Sequence, residues 1–260
     1  QQEIDVFKPQ EYWSVEAELQ KNKENFIAKL IKKDEKTISK FGIKTKMGAD
    51  KIVKDLKGAE YKIIDIQKKE VRKYPFPPFT TSTLQQEASH RLGFSAKQTM
   101  IVAQQLYETG LITYHRTDSL NLAETFLKTA QTLITQKFGK EYALGTPCRY
   151  KTKTKGAQEA HEAIRPSYPK KEPESIKEKL DKNQYKLYEL IWQRAVACQM
   201  QPAITDATAV DIEARNYLFR VTGAIIKFDG FLKVYPTKIS EIVLPPLEKS
   251  EVLKLIKLIP

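Results

Sequence analysis

Three prolines in four positions, Pro75, Pro77 and Pro78, separate two parts of the chain that have different side-chain patterns. Before this break, residues 12–30 and 61–74 alternate apolar and polar side chains, which is typical of strands with one solvated face. Beyond it, apolar residues recur at helical spacing. Because proline fixes φ and has no N–H to donate, neither a helix nor a central strand is expected to cross the break. It therefore marks a domain boundary.

Strand-like patterning returns from Thr205 onward, after a strongly apolar helical segment over residues 181–200. This order predicts an α+β multidomain chain in which a mainly helical domain interrupts a β-rich one. The two β-rich parts are expected to pack together as one domain. The expected bounds are 1–75 for the first β-rich part, 76–201 for the helical domain and 202–260 for the second β-rich part.

Within the helical domain, two helices are predicted on either side of a turn at Gly93. Ser82 or Thr83 can cap the first helix. Ser95, with Gln98 three residues later, has the spacing of a capping box and can cap the second. Two helices joined by a short turn and followed by a strand are the outline of a helix-turn-helix or winged-helix unit. Many helical hairpins share this outline, so by itself it does not indicate DNA binding.

The segment 110–119, GLITYHRTDS, places a tyrosine after a short apolar run and polar residues directly after the tyrosine. Gly110 ends the preceding helical pattern, and in an extended chain Tyr114 and Arg116 point to the same face. A neutral phenol is a poor nucleophile, whereas a nearby guanidinium favours the phenolate and can also hold a phosphate through two hydrogen bonds. The pattern fits attack on a phosphodiester, and it equally fits a half-buried strand tyrosine beside a surface arginine.

A second polar segment, AQEAHEAIRPS over residues 157–167, is predicted to begin as a helix that Pro166 ends. His161 and Arg165 are four residues apart, so on a helix they share one face. A single helical histidine is more often a packing residue than a site residue. The segment alone therefore leaves the role of His161 open.

The charge balance indicates an anionic partner. The chain has 44 lysines and arginines against 32 acidic residues, a formal net charge of +12, and nucleic acid is the commonest partner of so basic a protein, with anionic lipid as the other. Cys148 and Cys198 lack a CxxC partner, which argues against a structural zinc site and indicates a reduced, cytosolic protein. No apolar stretch reaches membrane-spanning length. The start at Gln1, without a methionine, suggests an excised piece.

Several long motifs, in order along the chain, resemble those of bacterial type IA DNA topoisomerases. They are PFTTSTLQQEASHRLGFSAKQTMIVAQQLYETGLITYHRTDS over 78–119, AQEAHEAIRPS over 157–167 and LYELIWQRAVACQMQPA over 187–203. The opening FKPQEYWSVEAEL is similar to the entry of that family's β-rich arch domain. The resemblance covers essentially the whole chain. It implies that the β-rich parts form the arch and that the helical domain carries the active-site tyrosine.

The resemblance also implies roles for individual residues. Tyr114 would be the nucleophile that attacks one DNA strand and becomes linked to the 5′ phosphate, and Arg116 would support it. His161 and Arg165 would form a basic pair that contacts the phosphates near the cleavage point. His115 occupies a position that varies in the family, so no role is implied for it. Supporting roles in DNA binding are implied for Asp118, Gln104 and Glu108.

The family cuts, passes and religates a single strand without ATP and so relaxes negative supercoils. The implied partners are single-stranded and negatively supercoiled DNA, and a cytoplasmic, nucleoid-associated monomer without a membrane partner is expected. The family's Mg²⁺ is bound by an acid-rich domain with no counterpart in this sequence, so we expect no metal bound by this chain. Phosphoryl transfer relies on positioning and charge stabilisation, so the chain alone is expected to be inactive.

Two other functions stay open on the sequence. A helix-turn-helix DNA-binding module without catalysis would use residues 95–108 as a recognition helix, although that segment is poor in arginine and lysine. A tyrosine recombinase or type IB enzyme also joins tyrosine to DNA, but it needs arginines and a histidine ahead of its tyrosine. Here Tyr114 precedes both His161 and Arg165. Attachment through a 3′ phosphate would favour this second class.

Overall fold

The computed structural model describes residues 11–150, 161–237 and 241–260, which divide into two compact units. Among these residues, the first unit comprises 11–71, 205–226 and 241–260, and the second comprises 72–150, 161–204 and 227–237. The sequence predicts that all of 202–260 belongs to the β-rich part. Residues 227–237 instead cluster with the helices, because Phe231 and Tyr235 are buried in the core of that unit.

Seven strands form one sheet within the described residues. They are β1 (Glu16–Lys21), β2 (Glu24–Lys33), β3 (Lys36–Thr37), β4 (Tyr61–Lys73), β5 (Ala203–Ala214), β6 (Tyr217–Phe228) and β7 (Val252–Ile259). Their order is β1-β7-β4-β5-β6-β2-β3, and a further pairing of β1 with β2 closes the sheet on itself. Because β1 pairs antiparallel with both β2 and β7, strands from opposite ends of the sequence lie side by side.

Alternation along the strands sets which side chains form the core of the first unit. In β1, Ala17 and Leu19 are buried between partly exposed neighbours, and in β6 the same holds for Phe219 and Val221. The strands predicted over 12–30 and 61–74 are therefore confirmed. A helix, α1 (Lys46–Asp55), adds Ala49 and Ile52 to this core.

The second unit is mainly helical. Its helices are α2 (Thr81–Leu92), α3 (Ala96–Glu108), α4 (Glu124–Phe138), α5 (Pro173–Ile176) and α6 (Lys182–Ala197). Helix α6 is the most deeply buried, with Leu187, Tyr188 and Ile191 inaccessible to solvent. In the part of the chain that the structure describes, no helix combines the length and apolar character needed to cross a membrane.

The predicted Gly93 turn and the predicted Ser95 cap of α3 are confirmed, whereas the predicted cap of α2 is wrong. Gly93 adopts φ of +71°, a left-handed conformation that glycine reaches without strain, and Ser95 caps α3 by accepting the N–H of Gln98. The cap of α2 is Thr80 rather than Ser82 or Thr83, because the Thr80 hydroxyl accepts the N–H of Thr83. Residues 109–123, between α3 and α4, contain an isolated bridge at Ile112 and no regular strand, so the winged-helix expectation is not confirmed.

Candidate active site

The tyrosine segment is held extended by contacts to the segment that contains Arg165. The N–H of Thr113 donates to the Arg165 carbonyl at 2.9 Å, and its Oγ1 donates to the Ala163 carbonyl at 2.7 Å. The same hydroxyl accepts the N–H of Arg165 at 3.0 Å. Ile112 and Pro166 form an antiparallel bridge. The two segments therefore lie side by side, directly before Tyr114.

Thr81, the first residue of α2, holds the backbone that follows the tyrosine. Its Oγ1 donates to the His115 carbonyl at 2.8 Å and accepts the N–H of Thr117 at 2.9 Å. Its own N–H donates to the Thr117 carbonyl at 2.9 Å. One threonine thus ties the N-terminus of α2 to both sides of Arg116.

Side chains alternate between exposed and buried after Thr113. Tyr114 is 47% exposed, whereas His115 is fully buried. Tyr114 and Arg116 are therefore both exposed, with a buried residue between them. The exposed row is Tyr114, Arg116 and Asp118, and the buried row is His115, Thr117 and Ser119.

Arg116, Asp118 and His161 line one cleft of about 450 Å³. The first turn of α2 lines it as well, through Thr81 and Ser82. N–H groups at a helix N-terminus carry partial positive charge and favour anions. Neither the guanidinium nor the imidazole forms an ion pair within the described ranges of the chain. Two available nitrogen side chains and a helix N-terminus suit this cleft to a phosphate, although Asp118 adds a negative charge to it.

The ring of Tyr114 packs against two other rings and is not part of the cleft lining. The centres of the Tyr107 and Tyr114 rings are 5.2 Å apart, as are those of Tyr114 and His115. Neither ring nitrogen of His115 has a hydrogen-bond partner among the described residues. Burial, and then the charge of Arg116, lowers the pKa of His115, while Glu108 opposes this shift. His115 is therefore neutral at pH 7, a feature for which sequence reasoning gave no signal.

The structure separates Gln104 and Glu108 from the cleft. On α3, Gln104 Nε2 donates to Glu108 Oε1 at 2.6 Å, and neither residue is among the cleft-lining side chains. Glu108 acts electrostatically on His115. These two residues therefore belong to the surroundings of the tyrosine ring, whereas Arg116, Asp118 and His161 are brought together.

The prediction that His161 and Arg165 share a helical face is wrong. Residues 157–160 lie outside the described ranges, and the segment from His161 to Pro166 is extended. Its backbone pairs with distant segments instead of with itself: for example, the N–H of Ile164 donates to the Phe79 carbonyl at 2.8 Å. His161 is exposed in the cleft, while Arg165 is 8% exposed and lines a different pocket with Phe126.

The described residues do not supply a magnesium site. No group of three or more His, Cys, Asp or Glu side chains among them is arranged to hold a metal ion. Two acidic residues lie near the tyrosine in sequence. Asp118 lines the cleft, whereas Glu108 does not. The donor set thus does not fit Mg²⁺, and no step proposed below passes through a metal.

Comparison with known proteins gives the family. A family model described as DNA topoisomerase matches residues 1–259. DNA topoisomerase 1 of Rickettsia felis is 43% identical over 275 aligned residues, which cover 99% of this chain and 35% of that protein. For the Rickettsia bellii protein of the same name the identity is 43%, with 99% and 34% covered. The full-length topoisomerase I structure from Thermotoga maritima matches with a TM-score of 0.79 and 32% identity, over 99% of this chain and 41% of that one.

The chain belongs to the DNA topoisomerase family, and the resemblance to the bacterial type IA enzymes is confirmed. Its mixed fold of helices and a large antiparallel sheet matches that of a bacterial topoisomerase I. The chain spans about a third of the length of the curated relatives that it matches.

Proposed function

We propose that this chain is the tyrosine-bearing part of an ATP-independent type IA DNA topoisomerase that acts on single-stranded DNA. The observation that carries the proposal is the placement of Arg116, two residues from the exposed Tyr114, in the same cleft as His161. Family membership supports it. The cleft would receive the phosphate, and the half-exposed phenol can reach a strand without any unfolding.

In the proposed reaction, the phenolate oxygen of Tyr114 attacks a backbone phosphorus. The bond from phosphorus to the 3′ oxygen breaks, that oxygen takes up a proton, and a 5′-phosphotyrosine link remains. Arg116 and His161 would hold the non-bridging phosphate oxygens, whose charge is greatest during transfer. Religation reverses the step and restores the phenol. Passage of a strand through the transient break would relax negative supercoils.

Other parts of the reaction are proposed to lie outside the matched region. An acid-rich domain would bind Mg²⁺, and without that domain the isolated chain would not turn over. Gln104, Glu108 and Asp118 would support the tyrosine and its cations. We place the protein in the cytoplasm, at the nucleoid, as a monomer bound to single-stranded or negatively supercoiled DNA.

The decisive experiment uses a hybrid in which this chain replaces the matching segment of the Thermotoga maritima enzyme. Tyr114→Phe in the hybrid should abolish DNA cleavage, because no other oxygen can form the link. Tyr107→Phe is the matched control, since its ring lies beside Tyr114 and should leave cleavage largely intact. A covalent adduct formed by the Tyr114→Phe hybrid would refute the assignment.

Two further readouts separate the alternatives. Mapping the adduct to a 3′ phosphate would move the protein to the recombinase or type IB class. Magnesium-dependent relaxation by the 260-residue chain alone would show that it needs no other domain. A helix-turn-helix module without catalysis is not favoured, because Lys97 is the single basic residue of α3.

A further inference from the structure

The Arg165 guanidinium is engaged by the protein itself. Its Nη2 and Nε donate to the Glu162 carboxylate at 2.6 and 3.2 Å. Its Nη1 donates to the carbonyls of Pro166 at 3.0 Å and Ser167 at 3.4 Å. The guanidinium carbon also lies 5.0 Å from the centre of the Phe126 ring on α4. These contacts use most of the five N–H donors of an arginine.

Glu162 continues this set of contacts to the start of α4. Its Oε1 accepts the N–H of Ala123, the residue before the helix, at 2.5 Å. A carboxylate at a helix N-terminus is favoured by the helix dipole. The next residue, Ala163, is fully buried and donates its N–H to the Asn121 carbonyl at 2.8 Å. The two residues directly after His161 are thus held in place, Glu162 through its side chain and Ala163 through its main chain.

We propose that Glu162 and Arg165 form a clamp that positions His161 in the cleft, and that Arg165 does not itself contact DNA. This inference rests on the proposed function of the cleft as a phosphate site. To reach a phosphate, the largely buried Arg165 would have to give up its hydrogen bonds to Glu162 and to the Pro166 carbonyl, which is unfavourable. Arg116 faces no such obstacle, because it is exposed and without an ion pair in the described residues.

The salt dependence of DNA binding distinguishes a contact from a clamp. Binding of the chain to a fluorescent oligothymidylate is measured by anisotropy at several salt concentrations. Arg116→Met should reduce the slope of log K against log salt by about 0.7, the value for one lost phosphate contact on a single strand. Arg165→Met should lower the affinity by about tenfold, the factor for one lost hydrogen bond to a charged group, and should change the slope no more than His161→Gln does, because its effect passes through His161.

Two further variants guard against loss of folding. Arg165→Lys keeps the charge but cannot form the fork with Glu162, so it should lower affinity as Arg165→Met does, whereas a phosphate contact would survive in it. Arg220→Met is the matched control. It breaks a similar fork to Asp211, with distances of 2.6 and 2.7 Å, in the β-rich unit and should change neither affinity nor slope.

The coupling of Arg165 to His161 tests positioning directly. His161→Gln should weaken binding in the otherwise unchanged chain and have almost no further effect in the Arg165→Met variant, because the imidazole is already displaced. A larger reduction of the slope in Arg165→Met than in His161→Gln, or fully additive effects of the two substitutions, would overturn the clamp. If Arg116→Met leaves the slope unchanged, the proposed phosphate site fails instead, and the clamp has no cleft to serve.

Discussion

The two compact units hold their backbones in different ways. In the β-rich unit, strands such as β1, β2 and β7 pair with one another, so backbone groups satisfy each other. In the helical unit, the segments around the cleft are joined by isolated backbone hydrogen bonds, and side chains add further bonds to the backbone. Thr81, Thr113 and Arg165 are the main examples. Single side-chain substitutions should therefore disturb the helical unit more than the sheet.

The largest difference between the units is expected on removal of a buried arginine. Arg194 donates from Nε to the Pro77 carbonyl at 2.7 Å and from Nη1 to the Tyr235 hydroxyl at 3.2 Å. Arg194→Met should lower the free energy of unfolding by about 3 kcal/mol, because buried acceptors lose a charged donor. Urea unfolding followed by the fluorescence of Trp192, on the same helix, measures this.

Arg220→Met provides the comparison in the β-rich unit. The Arg220 side chain is 40% exposed, so loss of its ion pair with Asp211 should cost about 1 kcal/mol or less. If Arg194→Met and Arg220→Met lower the free energy of unfolding equally, the helical unit is not the more sensitive of the two.

A smaller effect is expected for Thr81→Val. Valine has nearly the same shape but leaves the His115 carbonyl and the Thr117 N–H without their hydroxyl partner, which should cost about 2 kcal/mol. Hydrogen exchange of the Thr117 amide should become faster. Thr132→Val on α4 is the control, because that hydroxyl bonds only to a carbonyl of its own helix, and the cost should stay within about 0.5 kcal/mol. A control that loses as much as Thr81→Val would contradict this account.

The smallest effect is a pH dependence from His115. Its pKa in the folded protein is lowered by burial and by Arg116, so below pH 6.5 the unfolded chain binds more protons than the folded one. The contribution of neutral His115 to the free energy of unfolding is full above pH 6.5. It is lost as the pH falls from 6.5 through the lower pKa that His115 has in the folded protein. His115→Phe should flatten this part of a stability–pH profile, and His90→Gln, at an exposed position, should not. An unchanged profile in His115→Phe would show that another group titrates.

Regular elements could be predicted from sequence because their signals are local. Alternation identified β1 and β4, and the Gly93 and Ser95 signals placed the turn between α2 and α3. The segment after His161 could not be predicted, because its alanine and glutamate residues favour a helix locally. Pairing with Phe79 and with the backbone at Thr113, both far away in sequence, outweighs that preference.

The candidate site was predictable only in part. The alternation predicts that Tyr114 and Arg116 share one side of the chain, and both are exposed. Nothing in the spacing brings His161 to the cleft of Arg116, and only the family resemblance suggested it. Thr81 and Thr113 were not predicted, because a hydroxyl gives no sequence signal for a distant carbonyl. The sole hint of the clamp was an acidic residue, Glu162, three positions before Arg165.

The closed sheet cannot be completed until late in translation, because β1 pairs with β7, the last strand of the chain that the structure describes. β2 follows β1 after a two-residue turn, so this hairpin can form as soon as both leave the ribosome. The other neighbour of β1 begins at Val252, after every described residue of the helical unit has been synthesised. During translation the nascent hairpin therefore keeps an open edge that can pair wrongly. The edge strand β1 carries the charged residues Glu16, Glu18 and Lys21, which make its open edge a poor template for aggregation until β7 is synthesised.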